Sequence, residues 1–328
     1  MTREIKYWQA VNEALGEELE RDPDVILAGV DVGRAGGPFG ASRGLQTRFG
    51  VDRVFDTPIS ESTLGGLAVG AALSGLRPIV EIMFFDFMML ALQQLVAEGT
   101  KARFMYGSRV SVPLTIRTML SAHMATSAQH SSSYEAWLCH VPGLKVVMPA
   151  TPADAKGLLK AAVRDDNPVV VIESASLWTQ RGEVAEGDWV AELGKAVVRR
   201  AGDDVTVVSW GPAVKRSLEA VELLSADGIS GEVIDLRTLS PIDWETVLSS
   251  AGRTRRLVVV HDAVQPHGVG AEILARAAEE GIALRAKPRR VTPPFSPVPF
   301  SSSLENSYYP DAAQIAKTIR LTVEEVYA

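Results

Sequence analysis

Two residues with side chains that can transfer protons, Glu61 and His130, are the first candidates for chemistry in this sequence of 328 residues. Glu61 follows a strand-like segment, residues 54–57, and precedes a run of small residues, 65–72, that is typical of a closely packed helix. Taken alone, an acid at the beginning of a helix is explained by the helix dipole. His130 can give or take a proton near neutral pH, but the serines that follow it also fit a solvated surface loop.

The other histidines and the single cysteine do not form a pattern of metal ligands. His123, His261 and His267 lack the spacing of a metal site, and we assign them no chemistry. His140 stands between a predicted helix and a predicted strand, where a structural role is expected. Cys139 has no second cysteine to pair with, which fits a reducing compartment. The sequence predicts no metal site made by this chain alone.

Short β-branched runs alternate with amphipathic stretches, a pattern typical of α/β folds with mainly parallel sheets. The chain length predicts two compact domains. Between about residues 177 and 193 the alternation stops, and mixed charge with glycine is typical of a linker. We therefore predict a first domain at residues 1–180, a linker at 181–198 and a second domain at 199–328.

The periodicity also gives approximate bounds for the main elements, and the proline-rich residues 291–300 are expected to be extended. Predicted helices cover residues 8–20, 88–103, 152–163, 212–226 and 310–326, and predicted strands cover residues 25–28, 79–83, 112–117, 145–148, 168–172, 205–210, 233–236 and 257–261.

Charge and hydropathy exclude some classes of partner. The net charge of −7 gives no electrostatic reason to bind nucleic acid or an anionic membrane. The most apolar stretch, residues 82–92, is too short to span a bilayer and contains Asp86. The first six residues do not have the apolar core of a signal peptide, so a cytoplasmic location is expected.

Several separated motifs together carry a more specific signal. They are FDTPISE at residues 55–61, QHS at 129–131, VPGLKV at 141–146, DAKGLL at 154–159 and VIDLRT at 233–238. In this order and spacing they resemble the beta subunits of the decarboxylating component of pyruvate, branched-chain and acetoin dehydrogenase complexes. The resemblance runs from about residue 6 to the C-terminus. It implies two doubly wound α/β domains: an N-terminal thiamine-pyrimidine-binding domain and a C-terminal transketolase-type domain.

The resemblance also implies roles for three residues. Glu61 would place its carboxyl group against the aminopyrimidine of thiamine diphosphate, where it favours the tautomer that deprotonates the thiazolium carbon. Phe85 matches the aromatic residue that packs on the aminopyrimidine, although the apolar residues around it also fit an ordinary core. His130 matches a histidine near the thiazolium that assists acyl transfer to lipoamide.

A motif that the family uses for the diphosphate is missing. Relatives bind magnesium and the diphosphate through Gly-Asp-Gly and a later asparagine, whereas this chain has only Gly202-Asp203-Asp204, placed before a strand. The sequence also lacks a Walker loop and a Gly-x-Gly-x-x-Gly motif in a strand–helix setting. The resemblance therefore implies that an alpha subunit supplies the diphosphate and magnesium half of the site, in a two-alpha, two-beta heterotetramer.

The expected activity is decarboxylation of a 2-oxo acid, or cleavage of acetoin, followed by acyl transfer to a lipoyl acyltransferase core. The C-terminal residues 310–328 are one candidate for contact with that core. Some relatives bind potassium, and the sequence leaves open whether this chain does. Residues 119–128, 297–301 and 310–313 look most like the acetoin-type subgroup.

Departures from the family pattern motivate an alternative. Val30 replaces a usual acid, and Ala97 replaces a usual asparagine, with Gly99 and Thr100 in place of alanines. Loss of the acid at Val30 weakens the case for a proton relay between active sites. The alternative is a catalytically degenerate beta-type paralogue that acts as a structural or regulatory partner. A nucleotide-binding module also remains open from the fold alone, because doubly wound sheets host many functions.

Overall fold

The computed structural model describes residues 2–325 and divides the chain into two compact units. The first unit contains the residues up to Ser121 together with Trp137–Leu193. The second unit contains Ala122–Ala136 and the residues from Gly194 onwards. The short segment that carries His130 therefore belongs to the second unit, although most of its sequence neighbours belong to the first.

The first unit is built on a parallel sheet with the strand order β6-β7-β5-β4-β2-β3. Its strands are β2 (Val25–Gly29), β3 (Val54–Asp56), β4 (Arg77–Phe84), β5 (Thr115–Leu120), β6 (Lys145–Val147) and β7 (Val169–Ser174). The central strands are rich in valine and isoleucine because both faces of a parallel sheet are covered. A separate antiparallel pair joins β1 (Thr2–Lys6) to β8 (Arg181–Ala185), so residues 181–185 are a paired strand.

Helices cover this sheet: α1 (Tyr7–Arg21), α2 (Leu45–Phe49), α3 (Glu61–Leu73), α4 (Met88–Gln94), α5 (Ala102–Met105) and α7 (Pro152–Arg164). A further short helix, α6 (Glu135–Cys139), includes the boundary between the two units. A side-chain cap fixes the start of α7, because the Thr151 side chain accepts a hydrogen bond from the Asp154 backbone N–H at 3.1 Å and Pro152 occupies the first helical position. The core lies between α1, α7 and the sheet.

The prediction of one helix over residues 88–103 is confirmed only in part. The chain forms α4, then a π-helical segment at Leu95–Gly99, and then α5. The wider turn places Gly99 against α3, where a Cβ on Gly99 would lie 3.2 Å from the side chain of Val69. A regular apolar period does not distinguish such a π segment from an α-helix, because π turns are rare single insertions into α-helices.

The second unit contains a sheet with the order β14-β13-β10-β11-β9, in which only β9 runs antiparallel to its neighbour. Its strands are β9 (Val197–Arg200), β10 (Val205–Ser209), β11 (Gly231–Asp235), β13 (Leu257–Val260) and β14 (Arg289–Val291), with the short β12 (Thr238–Ser240) outside this order. Its helices are α8 (Ala213–Ser225), α9 (Trp244–Thr254), α10 (Val269–Glu279), α11 (Ser302–Tyr308) and α12 (Ala312–Glu324).

Side-chain caps fix the beginnings of two of these helices. Asp243 accepts a hydrogen bond from the Thr246 N–H at 3.2 Å, and Asp311 accepts one from the Gln314 N–H at 2.7 Å. The expected helix at residues 310–326 is observed as α12, while Val326 lies outside the described residues. The predicted α/β class with doubly wound sheets is confirmed. No helix among residues 2–325 combines the length and the apolar character needed to cross a bilayer.

Candidate active site

Two of the three candidate residues follow the carboxyl ends of two strands, β3 and β4, that flank β2 in the sheet. In the first unit β2 is flanked by β3 and β4, all three parallel. Glu61 is the first residue of α3, which follows β3, and Phe85 comes directly after β4. In parallel α/β sheets ligands bind at this edge, because the loops that follow adjacent strands meet there. The first unit therefore brings Glu61 and Phe85 to the same edge of one sheet.

Backbone contacts fix the turn that leads from β3 into α3. The Thr57 N–H donates to the carbonyl of Gly29 at 2.9 Å, which ties the turn to the end of β2. The Asp56 carboxylate accepts a hydrogen bond from the Gly33 N–H at 2.7 Å. Helix α3 then packs closely on α4, since a Cβ on Gly65 would lie 3.1 Å from the carbonyl oxygen of Ala91. The small residues of α3 thus serve a close helix contact that also fixes where Glu61 begins the helix.

Two polar groups of this turn have no hydrogen-bond partner among residues 2–325. The Glu61 carboxylate is half-buried, and it forms no hydrogen bond or ion pair with the described residues. The hydroxyl oxygen of Thr57, four residues earlier, is buried and unsatisfied. Buried polar groups in proteins are normally satisfied, so the Thr57 hydroxyl points to a missing partner, while the half-buried Glu61 carboxylate is accessible to solvent or to a ligand. A heteroaromatic ring with nitrogen donors and acceptors, such as an aminopyrimidine, fits this pair of groups.

Phe85 opens a single 3₁₀ turn, Phe85–Phe87, and its side chain is completely buried at 0% exposure. This burial favours the ordinary core role that its apolar neighbours suggested. Phe84 lies beside it with its ring edge-on to Phe39 at 5.8 Å. The role of Phe85 against a cofactor remains a prediction.

His130 lies in the second unit, in the segment 122–136 that has no regular structure until the start of α6. It is half-buried, and its backbone N–H donates to the Ser127 carbonyl at 3.2 Å. Ser131, the next residue, is buried, and its carbonyl accepts a hydrogen bond from the Tyr309 hydroxyl at 3.3 Å. The loop is therefore packed against its own unit, in contrast to the solvated loop that the serines suggested.

The second unit also contains a charged cluster that could not be recognised in the sequence. The buried Asp262 carboxylate pairs with Arg216, and the His123 imidazole lies 3.5 Å from it. Burial alone would raise the pKa of Asp262, but the positive charge of Arg216 holds this pKa well below its usual range. Asp262 therefore remains an anion to low pH, and it lies next to His123, to which we had assigned no role.

His261 is the most completely buried histidine of the second unit. Its ring stacks on Trp210 with centroids 4.9 Å apart, and both ring nitrogens are buried without a hydrogen-bond partner. Burial lowers the pKa of His261 to about 4, although the negative charge of Asp262 opposes the shift. The folded protein thus keeps this imidazole neutral.

We expect the His261 site to make stability depend on pH between about 4 and 6.5. The unfolded chain binds the proton near pH 6.5 and the folded chain only near pH 4. The free energy of unfolding is therefore not reduced by this site above about pH 6.5. It decreases by about 3 kcal/mol as the pH falls to 4. Urea unfolding followed by tryptophan fluorescence should show a shallower pH dependence for His261→Gln. The exposed His267→Gln serves as control and should keep the parent dependence.

The first unit also contains a small cavity next to a buried ion triad. Arg117 donates to both carboxylate oxygens of Glu173, at 2.9 and 2.8 Å, and its remaining terminal nitrogen pairs with Glu81. In the cavity beside them, the centre of a water molecule can occupy a volume of about 10 Å³. A volume of this size accommodates about one water molecule and excludes a substrate. The triad is therefore assigned to the core of the unit.

Comparisons with known proteins match both units. Residues 3–180 match the family described as "Transketolase, pyrimidine binding domain", and residues 194–315 match "Transketolase, C-terminal domain". The "Acetoin:2,6-dichlorophenolindophenol oxidoreductase subunit beta" of Cupriavidus necator is 44% identical over 335 residues, which cover 99% of each chain. The chain belongs to the family of transketolase-like dehydrogenase beta subunits.

Other members of this beta-subunit family are similarly close. The "Pyruvate dehydrogenase E1 component subunit beta" of Bacillus subtilis is 42% identical over 318 residues, which cover 96% of this chain and 98% of that protein.

A solved structure titled "Split gene transketolase, inactive beta4 tetramer" has a TM-score of 0.80 and 22% identity, and covers 98% of this chain and 100% of its own. At that identity the structure supports the fold alone. The predicted family resemblance is confirmed.

The Gly-Asp-Asp segment of this beta subunit is occupied by structural contacts. A Cβ on Gly202 would lie 2.3 Å from the backbone of Gly231, so the turn admits only glycine. The Asp203 carboxylate binds Arg253 at 2.6 Å, and the Asp204 carboxylate accepts a hydrogen bond from the Ser230 N–H at 2.8 Å. Within residues 2–325 no group of three or more metal-ligating side chains is found. The segment thus has a local structural explanation in this beta subunit.

The two positions at which this beta subunit departs from the family pattern lie in the first unit. Val30 directly follows β2 and is half-buried, so it stands at the same sheet edge as Glu61 and Phe85. Ala97 lies in the π-helical segment after α4 and is also half-buried. The first departure therefore lies at the sheet edge of the candidate site, whereas the second lies in a helical segment after α4.

Proposed function

We propose that this chain is the beta subunit of a thiamine-diphosphate-dependent dehydrogenase that acts on a 2-oxo acid or on acetoin. The observation that carries the proposal is the half-buried Glu61 carboxylate, which has no partner among the described residues. It stands at the carboxyl edge of a parallel sheet, within the segment that matches a pyrimidine-binding domain. The relatives of this chain are named as beta subunits of acetoin and pyruvate enzymes.

The cofactor, when bound, supplies the electron sink needed to break a bond next to a carbonyl carbon. Glu61 would bind a pyrimidine nitrogen and hold a proton there. The half-buried setting strengthens this hydrogen bond, because few water molecules compete for the carboxyl group. Phe85 would support the cofactor side of the sheet edge and exclude water. His130 would exchange a proton with the substrate-derived group during transfer to a lipoyl acceptor.

We propose that an alpha subunit completes the site. The supporting observation is that Asp203 and Asp204, the acids of the only segment similar to a diphosphate motif, are held by Arg253 and by the Ser230 N–H. Magnesium and the diphosphate would then be bound mainly by the partner, in a two-alpha, two-beta assembly. A lipoyl acyltransferase core would accept the product, and potassium would be an additional ligand to test.

The first experiment measures dye reduction by this chain co-expressed with its alpha-type partner, in the presence of thiamine diphosphate and magnesium. Pyruvate, branched-chain 2-oxo acids and acetoin are offered in parallel, with 2,6-dichlorophenolindophenol as the electron acceptor. We expect turnover of at least one of them, and none with either chain alone, because each chain provides only part of the site. Dialysis against EDTA, followed by separate additions of magnesium and potassium, shows which cation the complex needs.

Three results would contradict this proposal. Turnover by this chain without a partner would show that the diphosphate site is not shared. A stable complex that binds no thiamine diphosphate in calorimetry would favour the degenerate paralogue, which the valine at position 30 motivates. Binding of the cofactor without turnover of the three substrates would instead show that the substrate class is wrong.

A further inference from the structure

The loop of residues 122–136 adopts a backbone conformation that its own sequence disfavours. His123, Ala125 and Ser127 have positive φ angles of 67°, 53° and 68°. Residues with a Cβ rarely adopt this left-handed region, because the Cβ approaches the backbone too closely. The loop contains no glycine that would relieve the conflict. Contacts from outside the loop must therefore hold it in place.

Glu305 provides the contact that fits this requirement best. It lies in α11 with only 2% of its surface exposed. One carboxylate oxygen accepts a hydrogen bond from the His123 N–H at 3.0 Å, and the other accepts one from the Ala125 N–H at 2.7 Å. Hydrogen bonds to a charged acceptor are stronger than neutral ones, and alternating N–H groups in a left-handed turn form a concave anion site. The side chain thus binds two of the three strained residues.

Two further contacts fasten the remainder of the loop to the same unit. The Tyr309 hydroxyl donates to the carbonyl of Ser131, the residue after His130, at 3.3 Å. The Trp210 indole N–H donates to the buried Glu135 carboxylate at 3.2 Å. Burial raises the pKa of Tyr309, so its hydroxyl remains a donor. These contacts anchor the second half of the loop, whereas Glu305 anchors the first half.

We propose that Glu305 is a positioning residue that sets the location of His130 through the backbone of the loop. The proposal rests on the proposed function of His130 in proton exchange. Without the carboxylate, the N–H groups of His123 and Ala125 lose their acceptor, and the left-handed residues relax. A displacement of about 1 Å in a reacting group can lower a rate about 100-fold, so a relaxed loop is expected to lower turnover.

The first test is amide hydrogen exchange of the full chain in complex with its alpha-type partner. Glu305→Gln keeps the side-chain size but turns an amide N–H group towards one of the two loop N–H groups. We expect the amides of residues 122–136 to exchange about tenfold faster, or more, than in the parent. Glu232→Gln is the matched control, because Glu232 is buried in the same unit and binds Arg253. It should leave exchange in the loop unchanged, and equal exchange in the two variants would overturn the proposal.

The second test separates positioning from general damage by a double-mutant cycle in the dye-reduction assay. We expect Glu305→Gln to lower kcat about 10- to 100-fold with little change in KM, and to have no further effect in a His130→Ala background. Equal losses in both backgrounds would overturn the positioning role. A fully active His130→Ala complex would remove the proposed role of His130, and with it any catalytic consequence of Glu305. The exchange data would then still decide whether Glu305 holds the loop.

Discussion

Glu61→Gln is expected to abolish most of the turnover of the assembled complex, with a decrease in kcat of about 10²–10⁴-fold, the usual contribution of a positioned acid–base group. Glutamine keeps the size of the side chain and its place at the start of α3, but it cannot hold the proton of a carboxylic acid. We therefore expect KM for the substrate to change little, because the substrate does not need that proton in order to bind. The measurement is dye reduction at saturating thiamine diphosphate.

The control for this variant separates chemistry from helix stability. Glu61 is a first-turn acid of α3, and loss of such a charge costs about 0.3–1 kcal/mol through the helix dipole. Glu245 is the corresponding first-turn acid of α9, with its side chain 86% exposed. Glu245→Gln removes the same charge from the first turn of another helix and should remain fully active. If Glu61→Gln, in an intact complex, were as active as this control, the assignment of Glu61 to the cofactor would be wrong.

The parts of the fold that could be predicted from the sequence are those that local pattern determines. Strand β13 follows from four consecutive apolar residues, 257–260, that only a strand covered on both faces would bury. Helix α7 follows from its period and from the threonine–proline pair at its start. Glu61 could be singled out only through the family motif FDTPISE at residues 55–61, because an acid at the start of a helix is otherwise explained by the helix dipole.

The loop anchors could not be predicted, because the contacts join residues far apart in sequence. Glu305 and Ala125 are separated by 180 residues, and neither has a local signal of its role. The left-handed residues of the loop could not be predicted either, since alanine and serine do not favour a positive φ, and the enrichment of histidine in this region does not single out one position. The grouping of residues 122–136 with the second unit is a consequence of these distant contacts.

The buried ion triad had a usable signal that periodicity alone overlooked. Each of three apolar strands contains one buried charged residue: Glu81 in β4, Arg117 in β5 and Glu173 in β7. These strands are consecutive neighbours in the sheet, so their charges can meet. A single charge in a buried strand requires a partner of opposite sign, which makes such strands candidates for pairing.

Arg117→Met is expected to lower the free energy of unfolding by about 3–5 kcal/mol at neutral pH, the typical effect of removing one partner from a buried ion pair. Methionine fills a similar volume, so the effect arises from charge rather than from a void. Burial already raises the pKa of Glu173, and the nearby Glu81 charge adds to this shift. Without the arginine the two buried carboxylates face each other unpaired. Urea unfolding at pH 7 measures the loss.

The dependence of this loss on pH and on the other two residues distinguishes charge from packing. Protonation of the unpaired carboxylates removes the free-energy cost of burying their charge. The loss of stability caused by Arg117→Met should therefore be smaller at pH 5. Adding Glu81→Gln and Glu173→Gln should restore most of the stability, because no uncompensated charge remains. Arg3→Met breaks an exposed pair with Glu13, in which Arg3 is 45% exposed, and should cost at most about 1 kcal/mol. A penalty that is independent of pH and unchanged in the triple variant would show that Arg117 acts through packing, and the triad would then have no electrostatic role in the fold.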